Sequence, residues 1–211
     1  MYCEKADLST CRECIYSPHK IFKAGNNIYF LLHMSKIALK KHLQTLTNEQ
    51  MIETILELYE IMKPVKEYFE FYLNPNEQEM LEKYKAIIVN EFYPKGKYVQ
   101  PKMRFSVAKK AIAGFRALKP SPELLGDLMV TLAEMACKFT YNYGDMTEQY
   151  YESAYTNFRN ALIYLQKNKL LDSFKLRCTD CVKYASPCGY GFADDISDLY
   201  YQYFGDDLNQ P

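Results

Sequence analysis

The chain has no tryptophan and only three histidines, His19, His33 and His42. The first absence throws the aromatic load onto tyrosine, 20 residues of it, whose hydroxyls must reach water or a partner. Many tyrosines should therefore lie at the rim of a core. The second leaves little for general acid–base or triad chemistry, because His42 sits beside Leu43 in a lysine-rich stretch with no neighbouring aspartate or nucleophile. A solvated surface histidine is expected there. Long apolar runs are missing too: Tyr29-Phe30-Leu31-Leu32 falls far short of the roughly 20 residues that span a bilayer, so neither a transmembrane helix nor a membrane partner is expected. Met1 to Thr10 has no basic start leading into an apolar stretch and a cleavage site, which argues against a secretory signal and makes the cytoplasm the expected location. There is no H-E-x-x-H and no EF-hand loop, and Gly189-x-Gly191 is too short for a nucleotide fingerprint. No stretch alternates with a two-residue period between hairpin signals, so no sheet is expected.

What is present is a long series of amphipathic helical segments from Ser35 to Phe204. With 211 residues, 48% of them apolar, the chain can build one sizeable core. Leu39, Leu43 and Leu46 form a first stripe, and Thr47-Asn48-Glu49-Gln50 is a capping-box pattern. Ile52, Ile55, Leu56, Tyr59 and Met62 form a second stripe, stopped at Pro64. Val65, Tyr68, Phe69 and Tyr72 make a third, and Asn74-Pro75 reads as a cap with proline opening a helix through Leu81, Tyr84, Ile88 and Phe92. Ser106 is expected to cap a helix burying Ala108, Ala111, Ile112, Phe115 and Leu118. Ser121-Pro122 starts another, closed by Gly144. Thr147 opens a helix with the strongest stripe, Tyr151 through Leu165. Leu171 to Ala185 and Asp194 to Phe204 follow. The expected fold is all-α: an irregular array of antiparallel helix pairs, in the manner of a small curved α-solenoid. One domain is expected over 34–205, with an acidic disordered tail at 206–211. The irregular segment 1–33 reads as an N-terminal extension ahead of a true start at Met34.

Two clusters carry candidate chemistry. Cys178-x-x-Cys181 with Cys188 has thiols spaced to share a zinc, and Cys11-x-x-Cys14 could complete the shell. Yet Leu171, Phe174, Cys178, Cys181, Val182 and Ala185 step by three or four residues, which places both cysteines on one apolar helix face as small hydrophobes. The core reading is preferred, so no metal or other cofactor is expected. Seven cysteines, an odd number, also fit free thiols better than a disulfide framework.

The second cluster is electrostatic. Acidic and basic residues balance at 26 each, but Lys95 to Lys119 holds eight cations and no acid, whereas only acids follow Tyr184. Lys102, Arg104, Lys109, Lys110 and Arg116 form a candidate basic ridge for an anionic partner, nucleic acid included, with Tyr98 and Phe105 beside it. A solvated face or pairing with the acidic end of the chain is the simpler expectation.

Four segments carry a family resemblance: Leu39-Lys40-Lys41 with Leu46-Thr47; Val65 to Pro75 (VKEYFEFYLNP); Ser106 to Ile112 (SVAKKAI); and Asp198-Leu199-Tyr200-Tyr201. On these the chain, from Met34 to about Gly205, resembles the bacterial domain-of-unknown-function family 6155. The resemblance implies a helical fold and a start at Met34, and it brings no catalytic residues. Where the family pattern runs Gly-aromatic-Gly-Phe-His-Asp, this chain has Gly189-Tyr190-Gly191-Phe192-Ala193-Asp194. Without the histidine, no metal or catalytic role carries over to that turn. The function expected is a non-catalytic helical scaffold that binds a protein or peptide through tyrosine- and methionine-lined surface. The basic ridge and a zinc or thiol site are the alternatives.

Overall fold

The computed structural model describes residues 22–24, 27–29, 35–96 and 98–205. The acidic tail and most of segment 1–33, with Cys3, Cys11 and Cys14, lie outside the described residues. The chain divides into two compact units, Met1–Ile61 and Met62–Pro211.

In the first unit, β1 (Phe22–Ala24) pairs antiparallel with β2 (Asn27–Tyr29), Phe22 opposite Tyr29. Strands of three residues are too short to show a two-residue period, so no sheet was expected from alternation here. Among the described residues of this unit the helices are α1 (Lys36–Leu43) and α2 (Asn48–Ile61). Ser35 caps α1 through the amide of Ala38. The capping box of α2 forms as expected: Thr47 N–H donates to Gln50 Oε1 at 2.9 Å, and Gln50 N–H donates back to Thr47 Oγ1 at 3.2 Å.

The second unit holds α3 (Lys63–Leu73), α4 (Glu77–Phe92), α5 (Phe105–Ala117), α6 (Pro122–Tyr143), α7 (Glu148–Lys167), α8 (Leu171–Ala185) and α9 (Phe192–Phe204). Most boundaries follow their local signals, including Pro64 in the first turn of α3, Ser121-Pro122 before α6 and Thr147 before α7. Three differ. Asn74 closes α3, and Asn76 is the residue that caps α4, accepting from Glu79 N–H at 3.1 Å. Ser106 lies inside α5, because Glu91 has captured the preceding loop and starts the helix two residues early, with Arg104 at the cap. Helix α9 begins at Phe192, two residues before the expected start, since Gly191 takes the left-handed conformation at φ 75° that lets the chain turn into it.

Helices α4, α6 and α8 pack in a row with α6 in the middle; α5 lies against α4 and α6, α7 against α6 and α8, and α9 against α7 and α8, so contacts join elements one or two apart in order. The whole described core, from Phe71 to Tyr200, belongs to this unit. Helix α6 is its axis, with twelve buried residues in 22. Gly126 lets α7 approach: a Cβ there would stand 2.9 Å from Leu165 Cδ2. The expected core faces of α5, α7 and α8 are buried almost to the residue. On α3 the expected stripe is displaced, with Phe71 buried and Tyr72 exposed.

Candidate functional site

The structure disperses the basic ridge. Lys102 stands exposed in the loop before α5. Arg104 is committed to Glu91 of α4, donating from Nε at 2.9 Å and from its terminal nitrogen at 2.7 Å, while its own amide adds a third bond at 3.2 Å. Glu91 is 5% exposed, and its carbonyl also accepts from the amides of Lys102 and Met103. Arg104 thus neutralises a buried carboxylate and holds the loop, leaving little of it for a ligand. Its hydrogen bonds keep the Glu91 carboxyl below the ordinary glutamate range, against the upward push of burial. Lys110 lines a different, apolar hollow with Tyr68, Tyr84 and Ala117.

Lys109 and Arg116 remain together. They sit two turns apart on one face of α5 and flank an open groove of about 490 Å³ between α5 and α7, with α6 beneath it. From α7 the groove gains Asn157, Asn160, Tyr164 and Lys167, which recur at helical spacing along one face. Met129 and Leu132 of α6 make an apolar floor, and no aspartate or glutamate lines the groove. Arg116 donates to Met129 Sδ at 3.6 Å and lies near Tyr164. Burial pushes the Tyr164 hydroxyl above the ordinary tyrosine value, against the pull of Arg116, so it stays a protonated donor near neutral pH. Asn157 is 7% exposed and donates to the Ser153 carbonyl at 2.6 Å. The α7 contribution was not legible in the sequence, because Asn157 and Lys167 stand 40 and 50 residues beyond the end of α5 and show no cationic run of their own.

The cysteines occupy the packing seam of α6 and α8. Cys137, Cys178 and Cys181 are fully buried, and Cys188 is half-buried with its Sγ 2.9 Å from Thr140 Oγ1. Burial pushes the Cys178 thiol up to about 12, with Glu134 adding to the shift. A hydrogen bond with Cys137, followed by burial, raises Cys181 well above the ordinary thiol value. Both are neutral thiols at neutral pH, the condition of core residues rather than of nucleophiles. Among the described residues no group of three or more His, Cys, Asp or Glu is disposed to hold a metal ion.

Sequence reasoning missed an ionic lattice along the α4–α6–α8 row. Arg177 of α8 reaches Asp127 and Glu134 of α6, with Nε 2.8 Å from Glu134 Oε1, a second close contact to Glu134 Oε2, and a bond to Thr131 Oγ1 at 3.0 Å. Lys85 of α4 completes the lattice at 2.7 Å from Asp127 Oδ2. Burial works against the Arg177 charge, but the two carboxylates more than offset it. A signal existed, since Asp127, Thr131 and Glu134 recur at steps of four and three on α6. Only the packing shows what they meet.

In the second unit, then, the chain is an all-α array of helices packed around α6, with a cationic groove between α5 and α7. By the match of its residues 34–187 to the family model, it belongs to DUF6155, a family of unknown function. No curated protein and no solved structure matches it. Among the described residues no helix is long and apolar enough to cross a membrane.

Proposed function

We propose that the protein is a non-catalytic helical interaction module whose α1–α2 segment is the contact element, and that its first partner is a second copy of the same chain. The observation that carries this is α2. None of its 14 residues is buried, and Ile52, Ile55, Leu56 and Ile61 are 58, 45, 55 and 62% exposed. An isolated helix of that length is marginal in water, and its stability normally comes from packing an apolar face. The uncovered stripe therefore calls for a cover.

Charge says what kind of cover fits. Helix α2 bears Glu49, Glu53, Glu57 and Glu60 and no lysine or arginine; α1 bears Lys36, Lys40 and Lys41 and no acid, with Ile37 and Leu39 exposed beside them. A partner suited to α2 offers aliphatic side chains flanked by cations, and α1 of a second copy offers both. The contact is then self-complementary, α1 to α2 twice over, as a twofold dimer requires. The free thiols support a reducing, cytoplasmic setting for this role.

Sedimentation equilibrium from micromolar to near-millimolar protein tests the reading. A concentration-dependent dimer is expected, reduced to monomer by the double substitution Glu53→Lys, Glu57→Lys, and recovered when Lys40→Glu, Lys41→Glu is added. A chain that stays monomeric throughout, or a dimer indifferent to the glutamate substitutions, refutes it.

A further inference from the structure

The α5–α7 groove has features that a solvated basic face does not need. Three cations line it from two different helices with no carboxylate among them, in a chain whose formal net charge is zero. Among the described residues none of Lys109, Arg116 and Lys167 has an ion-pair partner, although Lys85, Arg104 and Arg177 elsewhere in this unit are all spent on carboxylates. Between the cations lies an apolar strip, Met129 and Leu132, rather than more charge. Asn157 is a carboxamide more than nine-tenths buried at the groove wall. Its nitrogen is used by Ser153, and its oxygen has no protein donor among the described residues.

The functional groups are also sorted along the groove. Arg116 lies beside Tyr164, and Lys167 follows one turn later on the same face, so one end gathers two cations and a protonated hydroxyl. Asn157 and Asn160 stand one to two turns earlier on α7, spanning with Lys167 about 15 Å of helix at 1.5 Å per residue. Arg116, Tyr164 and Lys167 thus mark one end, the apolar floor follows, and the carboxamides share the other end with Lys109, since Phe105 at the start of α5 meets Tyr150 at the start of α7. A planar ring on the floor would find Asn157 and Asn160 able to match the donor and acceptor edge of a base, while a phosphate would be met by charge-assisted hydrogen bonds. The volume, about 490 Å³, is in the range that small-molecule sites occupy.

We infer that the α5–α7 groove is a binding site for a nucleotide-sized phosphorylated small molecule, its phosphate held by Arg116, Lys167 and Tyr164 and its ring resting on Met129 against Asn157. The inference is independent of self-association through α1 and α2. It assigns no reaction to the groove.

Calorimetric titration of the full chain with ATP, AMP and inorganic phosphate tests it. Saturable binding of ATP and AMP is expected, with phosphate alone weaker for want of the floor and amide contacts. Arg116→Gln and Lys167→Gln are each expected to weaken nucleotide binding roughly tenfold, one charge-assisted contact apiece, without moving the thermal unfolding midpoint. Lys102→Gln, outside the groove, leaves binding unchanged. Should Arg116→Gln disturb folding through its Met129 contact, Lys167→Gln reads the same site from an exposed position. The assignment is overturned if neither nucleotide binds saturably, or if both groove substitutions leave affinity intact. It is equally overturned if a single-stranded oligonucleotide displaces ATP at low salt with much higher affinity, which would give the groove to a polymer.

Discussion

Glu91 shows how one side chain can decide what a sequence motif is for. A run of cations between Lys95 and Lys119 suggests a ridge, but Glu91 takes three hydrogen bonds from Arg104 and two more through its carbonyl from the following loop. Its carboxyl is lowered from the ordinary value of 4.5. A group whose native pKa is depressed contributes stability fully above its unfolded pKa and loses it as pH falls through the native one. The wild-type protein should therefore lose stability as pH drops below about 4.5, where an unfolded glutamate begins to protonate. Glu91→Gln should be less stable than wild type at neutral pH, and the gap should narrow with acidification. Urea unfolding midpoints across the acid range check this; a gap that is constant with pH would show the Glu91 charge to be idle. Nothing in the sequence forecast the pairing, because Glu91 and Arg104 lie on opposite sides of a loop.

At the scale of elements, α4, α6 and α8 are joined by apolar faces and by the Arg177 lattice. The side chains of Arg177, Asp127 and Glu134 are 30, 19 and 16% exposed, enough burial that an unpaired carboxylate is costly and enough water that the cost is below that of a dry core. Arg177→Met should destabilise the protein by about 2–3 kcal/mol, and Arg177→Lys by less, since an ammonium keeps the charge beside the carboxylates although it cannot hold both with a planar fork. Denaturant unfolding measures both, and equal stability of the Met variant and wild type would show the lattice to be ornamental. The apolar half of this row was legible: Cys178, Cys181, Val182 and Ala185 lie buried where their three-and-four spacing puts them. The polar half was not, because Asp127 and Glu134 read as ordinary surface acids until α8 is laid beside them.

For the whole molecule, the division at Ile61/Met62 separates helices with an uncovered face from a unit that owns the entire described core. Residues 62–211 should accordingly fold alone, unfold cooperatively within a few degrees of the full chain, and remain monomeric where the full chain dimerises. Circular dichroism melts and sedimentation of the fragment check these expectations together. A fragment that fails to fold would mean that residues 1–61 contribute to the stability of the larger unit.

Sequence alone determined the helices and most of their ends, because capping, proline stops and apolar periodicity act within a turn or two of the chain. It also placed Cys178 and Cys181 among core residues, since helical spacing dictates which side chains share a face. Tertiary structure decided everything that depends on two helices meeting: Arg104 spent on Glu91, Arg177 clasped by α6, and Lys109 and Arg116 facing Lys167 across a groove. Side chains distant in sequence share no periodic signal, and only the packing of the backbone brings them within reach of each other's charge.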